Sequence, residues 1–540
     1  MRFSERIFVV ALLVFAFALR IVGIAWGQPD LVYSPSFAAK GMIHEQTSLQ
    51  PDEFLFAALP FKMALTGNLN PKFFETPSFL LNTSFVLTTL TGIHVGFNHE
   101  DRVGLNDRYY APFSVYVVNR ILSVLGGLLA VACTYSLARY VGGRYAALLA
   151  GLLVTVSMPL VQHAHYGTTS SLAVGFMMLT LVAGARCLVA SDRKVVLGWL
   201  ALSAISSGLA LGNRYNVAFV SLIPFACGWV LIGRYRGWRW LSVIIAIWLL
   251  FPLTFLFTTP GALFDTEKFI ADLRYISNQY IGTGSNQFVI DAWQGLFHEL
   301  AYVIVFALGG VGGIAAIVGL ICGSWRKDFD RRLIFVLMMI VLLLHIIFIN
   351  RTVRPNGADQ LALPLIPILC VMAGVGFNWL RPLGSVWRVI IIVAMVTLAI
   401  MPTMNFLKQI TTEDTRLITQ RWIYKHIPRQ SRVLLVGSIN VPLDPQDYRW
   451  MQIFDRTVNI NWATQPPYDY LLASDALPLR FRKQGIVSPH NLPVSASLLW
   501  FIESNGLMVE SLPVYTVDYY HNPTLRLYCL NEVACNATIP

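Results

Sequence analysis

Apolar runs long enough to cross a bilayer recur along this chain, and no other feature constrains its fold as strongly. About eleven of them fall roughly at 7–26, 113–138, 145–161, 172–190, 196–211, 217–232, 241–257, 300–323, 333–349, 363–380 and 389–404. Each approaches the ~20 residues needed to traverse about 30 Å of hydrocarbon. With 56% of its 540 residues hydrophobic and 13% charged, the chain is an integral membrane protein and not a large soluble enzyme. The first run is longer than a signal-peptide core and no small-residue cleavage site follows it, so it is expected to stay as an anchor.

Charge tests the topology independently. If Met1 is cytoplasmic, alternate short loops carry Arg2 and Arg6, Arg139 and Arg144, Arg193 and Lys194, Arg234, Arg236 and Arg239, Arg326, Lys327, Arg331 and Arg332, and Arg381 and Arg388. Every such loop is basic, as the positive-inside rule requires. The net charge of +11 is thereby accounted for without a nucleic-acid partner. The fold expected is mostly α: a transmembrane module over 1–404, its first external loop at 27–112 and a second at 258–295, then an external domain over 405–540. In that last part a helix-like segment from Thr412 precedes short strand patterns at 431–436, 469–472 and 525–528, the signature of a small α/β domain.

The external face gathers the chemistry. Gln50-Pro51-Asp52-Glu53-Phe54 places two adjacent carboxylates just outside the first span, where membrane insertion does not require them. Asp52 is the candidate reactive group. The bland alternative is an acidic first helical turn after Pro51, which the helix dipole favours and which is the commoner meaning of the triplet. Residues 52–66 read as an amphipathic helix with Phe54, Leu55, Ala58, Leu59 and Met63 on one side, and 79–90 as a second short helix; both suit the membrane interface. His163, His165 and Tyr166, the stretch Asn213-Arg214-Tyr215-Asn216, and Arg351 and Arg354 also fall at external helix ends. Such groups are functional candidates in a membrane protein, with snorkelling of each Arg as the equal alternative. His163, His165 and Glu75 leave a divalent metal open, but their scatter in sequence favours structural hydrogen bonding. No other cofactor is called for. The chain contains no Walker loop, dinucleotide fingerprint, HExxH or nucleophile elbow.

Five of the seven cysteines lie in apolar runs and read as small hydrophobes; Cys529 and Cys535 lie in polar sequence. Their spacing is too wide for a CxxC motif and suits a short disulfide loop if that end is extracytoplasmic.

The order of motifs resembles the C-type polytopic glycosyltransferases, in the branch of the protein O-mannosyltransferases and the lipid A aminoarabinose transferase. The resemblance is carried by Arg20 in the first span, Asp52-Glu53, Gly67-Asn68-Leu69-Asn70-Pro71-Lys72-Phe73-Phe74 with Glu75-Thr76-Pro77, and Asn119-Arg120-Ile121-Leu122-Ser123. It continues through His165-Tyr166-Gly167-Thr168-Thr169, Asn213 to Asn216, Thr259 to Asp265 with Phe269, Leu363-Pro364-Leu365-Ile366-Pro367, and Asp414-Thr415-Arg416 with Trp422. It implies transfer of a sugar from a polyprenyl-phosphate-type lipid to an acceptor hydroxyl or phosphate at the outer, periplasmic face of a cell membrane, with Asp52 as the carboxylate base and Glu53 beside it. A single base with direct displacement would invert the anomeric centre. Arg214, Arg354 and Arg351, ranked in that order, would receive the donor phosphate; Glu75, His165 and Tyr166 would be substrate or metal contacts. The chain departs from the pattern at Thr76, where the aminoarabinose transferase has Lys, at Ser170, where relatives have Asp, and at Gln360-Leu361, where many have Arg-Tyr. Two other readings stand beside the enzyme. A flippase for lipid-linked glycans needs a polar path, and the spans carry almost no ionisable groups beyond Arg20, Arg120 and Arg186. A non-catalytic membrane scaffold would not need Asp52.

Overall fold

The structure, a computed structural model, describes residues 3–28, 42–43, 51–95, 111–235, 237–281, 296–297, 300–301, 303–323, 328–351, 359–378, 384–436, 447–453, 468–474, 507–511 and 525–529, with the single residues 382, 441 and 443. It forms two compact units: Met1–Ile24, Leu59–Phe97 and Val117–Leu407 make one, and Ala25–Ala58, Asn98–Tyr116 and Lys408–Pro540 the other.

The first unit is a helical membrane module. Among the described residues seven helices are long and apolar enough to cross a bilayer, or eight if a bent pair counts as one. Eleven is not reached on that measure, for physical reasons that differ from span to span. The first helix, Phe3–Ile21, carries Glu5 and Arg20 in its two end turns and Arg6 besides. The apolar runs at 300–323 and 363–380 yield helices of only 13 residues, Val311–Gly323 and Leu365–Phe377. Ahead of the former the chain turns at Gly309 and Gly310, both at positive φ (67° and 69°), a conformation open to glycine.

These short helices gain contact by dispensing with side chains. A Cβ on Gly319 would lie 1.8 Å from the Met372 carbonyl oxygen, one on Gly376 2.1 Å from that of Ala315, and one on Gly374 2.4 Å from that of Ala146. Backbones therefore touch among Val311–Gly323, Leu365–Phe377 and Arg144–Val156, the close approach that small residues permit where lipid supplies no hydrophobic drive.

The run at 145–161 is not one straight span. It folds as Arg144–Val156 and Met158–His165, bent by 49°. Pro159 has no N–H to offer the carbonyl four residues back, and Ser157 is extended (φ −64°, ψ 113°), so the last carbonyls of the first segment lose their helical partners. Arg20, fully buried, replaces those partners. Its Nη1 donates to Thr155 O at 3.2 Å and Nη2 to Val154 O at 3.3 Å, while Thr403 Oγ1 donates to Val156 O at 2.6 Å. A cation at a helix C-terminus also meets the favourable end of the dipole. Gly127 makes the room: a Cβ there would stand 2.8 Å from Arg20 Nε.

In the second unit, helix Thr415–His426 covers a five-stranded mixed sheet ordered Arg449–Ile453, Arg432–Val436, Tyr470–Ser474, Leu525–Cys529, Leu507–Ser511. The first three strands are parallel and the last two antiparallel to their neighbours. Ile423, Val433, Leu435, Tyr448, Leu472 and Leu527 form its core. Asp414 caps the helix, accepting from Arg416 N at 2.9 Å, and also grips the buried Arg416 guanidinium at 2.8 Å through each carboxylate oxygen; that guanidinium lies 5.7 Å from the Trp26 ring centre. A two-residue antiparallel pairing joins Met42–Ile43 to Ala111–Pro112. Cys529 ends a strand, and Cys535 lies outside the described residues.

Because Arg20 satisfies carbonyls that hydrocarbon cannot, Arg20→Met should lower stability by about 2–4 kcal/mol, the cost of two buried acceptors left unpaired. Gly127→Ala should destabilise by displacing the same guanidinium. Thermal unfolding of the detergent-solubilised protein checks both; a melting temperature unchanged in Arg20→Met would show that the carbonyls find other partners.

Candidate functional site

The stretch from Gly67 to Pro77 organises a set of helix ends on one side of the membrane module. Asn68 and Asn70 fold it locally: Asn68 Oδ1 accepts from Asn70 N at 3.0 Å and Asn70 Oδ1 from Lys72 N at 2.9 Å, with Lys72 at φ 56°. Asn70 then reaches across to donate to Asp265 Oδ2 at 2.7 Å. That hydrogen bond, with the Lys72 charge at 3.7 Å, holds the Asp265 carboxyl below the usual carboxylate range.

Phe74 is the peg of this arrangement. Its ring is fully buried against Gly261, where a Cβ would come within 2.1 Å of it, and edge-on to Phe269 at 5.8 Å. Its N–H donates to Asp272 Oδ2 at 2.8 Å, and its carbonyl accepts from Tyr215 OH at 3.0 Å. Asp272 is held in turn by Lys268 at 2.6 Å, one turn earlier on helix Thr266–Ile281. The Gly-Asn-Leu-Asn-Pro stretch, the Thr-Pro-Gly stretch and Asn-Arg-Tyr-Asn are thus three parts of one construction.

It walls a cavity of about 590 Å³. Glu75, Thr76, Arg214, Tyr215, Asn216 and Ser277 supply the polar lining; Phe219, Leu273, Ile276, Leu344, Ile347, Phe348 and Leu361 make the rest apolar. Arg214 sits in the extended link (φ −149°, ψ 133°) between helix Arg193–Leu211 and the 3-10 helix Tyr215–Ser221. Its Nη1 donates to Ser170 Oγ, the first residue of helix Ser170–Val189, and to Gln360 Oε1 at 3.0 Å in the short helix Asp359–Ala362. That short helix is itself pinned by His345, whose Nε2 hydrogen-bonds Leu361 O at 2.6 Å.

The expected site residues divide as follows. Glu75 and Arg214 share the cavity. Asp52 and Glu53 form the first turn of helix Pro51–Thr66 and fall in the other unit, Asp52 exposed and Glu53 buried. Arg351 ends helix Phe329–Arg351, and Arg354 lies outside the described residues. His165 and Tyr166 are at the bend of the broken span and do not line the cavity. His165 hydrogen-bonds the carbonyls of Val161 and Val22 at 2.8 Å each, and Tyr166 OH accepts from Gln162 at 3.1 Å. No group of three or more His, Cys, Asp or Glu side chains able to hold a metal occurs among the described residues. Sequence reasoning overlooked Asp272, His345 and the apolar wall. For Asp272 the i,i+4 pairing with Lys268 was a signal; His345, inside an apolar run, was one by its rarity.

Residues 84–275 match the family of dolichyl-phosphate-mannose-protein mannosyltransferases. No curated protein matches the chain. Among solved structures, ArnT from Cupriavidus metallidurans in the apo state is similar at 14% identity and TM-score 0.51, over 99% of this chain and all of that one. The Archaeoglobus fulgidus oligosaccharyltransferase in its apo form is more distant, at 11% identity and TM-score 0.49, covering 88% of this chain and 70% of that one. The Saccharomyces cerevisiae Pmt1-Pmt2 complex bound to the sugar donor gives 18% identity and TM-score 0.35, over 54% and 38%. The chain thus shares its fold with ArnT from Cupriavidus metallidurans, and within that fold residues 84–275 match the dolichyl-phosphate-mannose-protein mannosyltransferase family.

Proposed function

We propose that the protein transfers a sugar from a polyprenyl-phosphate-type lipid to an acceptor hydroxyl or phosphate at the outer face of the membrane. The observation that carries this reading is the character of the cavity: an apolar wall with one guanidinium, Arg214, and one carboxylate, Glu75, among the described residues that line it. A lipid phosphate has the same two-part chemistry, a hydrocarbon tail and an anionic head that a guanidinium binds through paired oxygens. The bound form of ArnT from Cupriavidus metallidurans contains undecaprenyl phosphate, a ligand of this class.

In this reading Asp52 is the base. Its carboxylate takes the acceptor proton as the acceptor oxygen attacks the anomeric carbon; the bond from that carbon to the phosphate oxygen breaks, and its electron pair leaves with the lipid phosphate. One displacement inverts the anomeric centre, by analogy with inverting glycoside hydrolysis. Glu53 is assigned to orienting Asp52 or its backbone. Arg214 stabilises the phosphate as charge grows on it, an effect strengthened where water is excluded. Arg354 and then Arg351 are the next cations proposed for the same anion, and Glu75 is a candidate contact to the sugar. N-terminus inside and C-terminal domain outside complete the proposed topology.

Two substitutions separate the roles. Asp52→Asn should lower kcat by roughly 10²–10⁴-fold with donor KM nearly unchanged, since it removes a base and not a binding charge. Arg214→Ala should cost about 2 kcal/mol in kcat/KM. Steady-state kinetics of the purified protein on lipid-linked sugars checks both, and wild-type turnover by Asp52→Asn would exclude Asp52 from the chemistry. With that C-terminal end outside, Cys529 and Cys535 should be oxidised to a disulfide worth on the order of 2 kcal/mol for so short a loop. Alkylation of both thiols without prior reduction, read by mass spectrometry, would refute the pairing.

A further inference from the structure

The guanidinium of Arg214 is seated by uncharged groups. Ser170 and Gln360 stand 44 and 146 residues away in sequence, on separate helices, and both accept from the same nitrogen, Nη1. A carboxylate at either place would hold a guanidinium more strongly, since charge-assisted hydrogen bonds are about twice as strong as neutral ones. It would also neutralise it. A hydroxyl and a carboxamide fix the position of the fork and leave its charge intact. Using Nη1 for both bonds leaves the Nε–Nη2 edge without a hydrogen bond among the described residues, and that edge matches two oxygens of a phosphate. Both positions are also among those where the sequence departs from the pattern it resembles.

We propose that Ser170 and Gln360 are positioning residues that seat Arg214 through one nitrogen and keep its remaining edge, with its full charge, for the phosphate of the lipid donor. The proposal rests on the reading of the cavity as a lipid-phosphate site. Neutrality of the seat is its central requirement: an acid introduced at Ser170 or Gln360 occupies the guanidinium and repels the incoming anion.

The test measures binding of farnesyl phosphate, a short polyprenyl monophosphate, to the purified full-length protein in lipid nanodiscs, with thermal stability recorded in parallel. Gln360→Glu changes one atom group and keeps the shape; it should weaken binding by roughly tenfold or more, the order expected when a like charge faces a bound anion, with stability maintained or raised. Ser170→Asp should do the same, and Ser170→Thr, which retains the hydroxyl, should keep wild-type affinity. A merely structural seat gives the opposite pattern, because a carboxylate on Arg214 would then leave affinity unchanged. If Ser170→Asp fails to fold, Gln360→Glu decides alone. Arg214→Ala distinguishes the two levels of the argument. Loss of binding in Arg214→Ala with unchanged binding in Gln360→Glu overturns the neutral seat and leaves the cavity reading standing; unchanged binding in Arg214→Ala overturns both.

Discussion

Hydrocarbon offers a backbone carbonyl nothing to bond with, and the membrane module is arranged around the place where it breaks that rule. The bend at Ser157 and Pro159 frees carbonyls in a buried setting, and Arg20 and Thr403 arrive from both ends of the chain's membrane region to satisfy them. The first helix, the bent pair and the helix Ser385–Thr411 are thereby joined at one point. A buried guanidinium is costly unless its donors are used; here Nη1 and Nη2 are used by the orphaned carbonyls. The bend also sets His165 and Tyr166 where their polar atoms hydrogen-bond the Val22 carbonyl and the Gln162 side chain.

The rest of the module follows the same economy of polar groups. Short helices pack through Gly319, Gly374 and Gly376 with backbones in contact, which makes up for length they lack. At one set of helix ends Asn70, Phe74, Asp265, Asp272 and Tyr215 hold three segments together in one construction, and Arg214 stands beside an apolar wall. Placing a seated cation against hydrocarbon-like side chains gives the cavity its two-part chemistry.

Much of this was legible beforehand because apolar periodicity and length are local. The helices Pro51–Thr66 and Phe79–Leu90 and three of the five strands of the C-terminal sheet fall where the pattern placed them, whereas Arg449–Ile453 and Leu507–Ser511 had no such signal. The bend was not, since a run of 17 apolar-rich residues gives no measure of what a single Pro159 does until a partner for the freed carbonyls is known. Arg20 could be singled out as an oddity in a span, but its purpose depends on residues 134 and 135 positions away. The same holds for the candidate site. Arg214 was named from its local setting, whereas Ser170 and Gln360 were noticed only as departures, and their joint contact with Arg214 is a property of three-dimensional closure that no spacing encodes.

The Phe74 peg has a consequence for how the protein is made. Its amide partner, Asp272, is 198 residues further along the chain. At synthesis rates of about 5–20 residues per second, Phe74 is made on the order of 10–40 s before the groove that receives it exists. The site is therefore completed late in translation, once helix Thr266–Ile281 has been made, and a ribosome that stalls before that point leaves Phe74 without its groove.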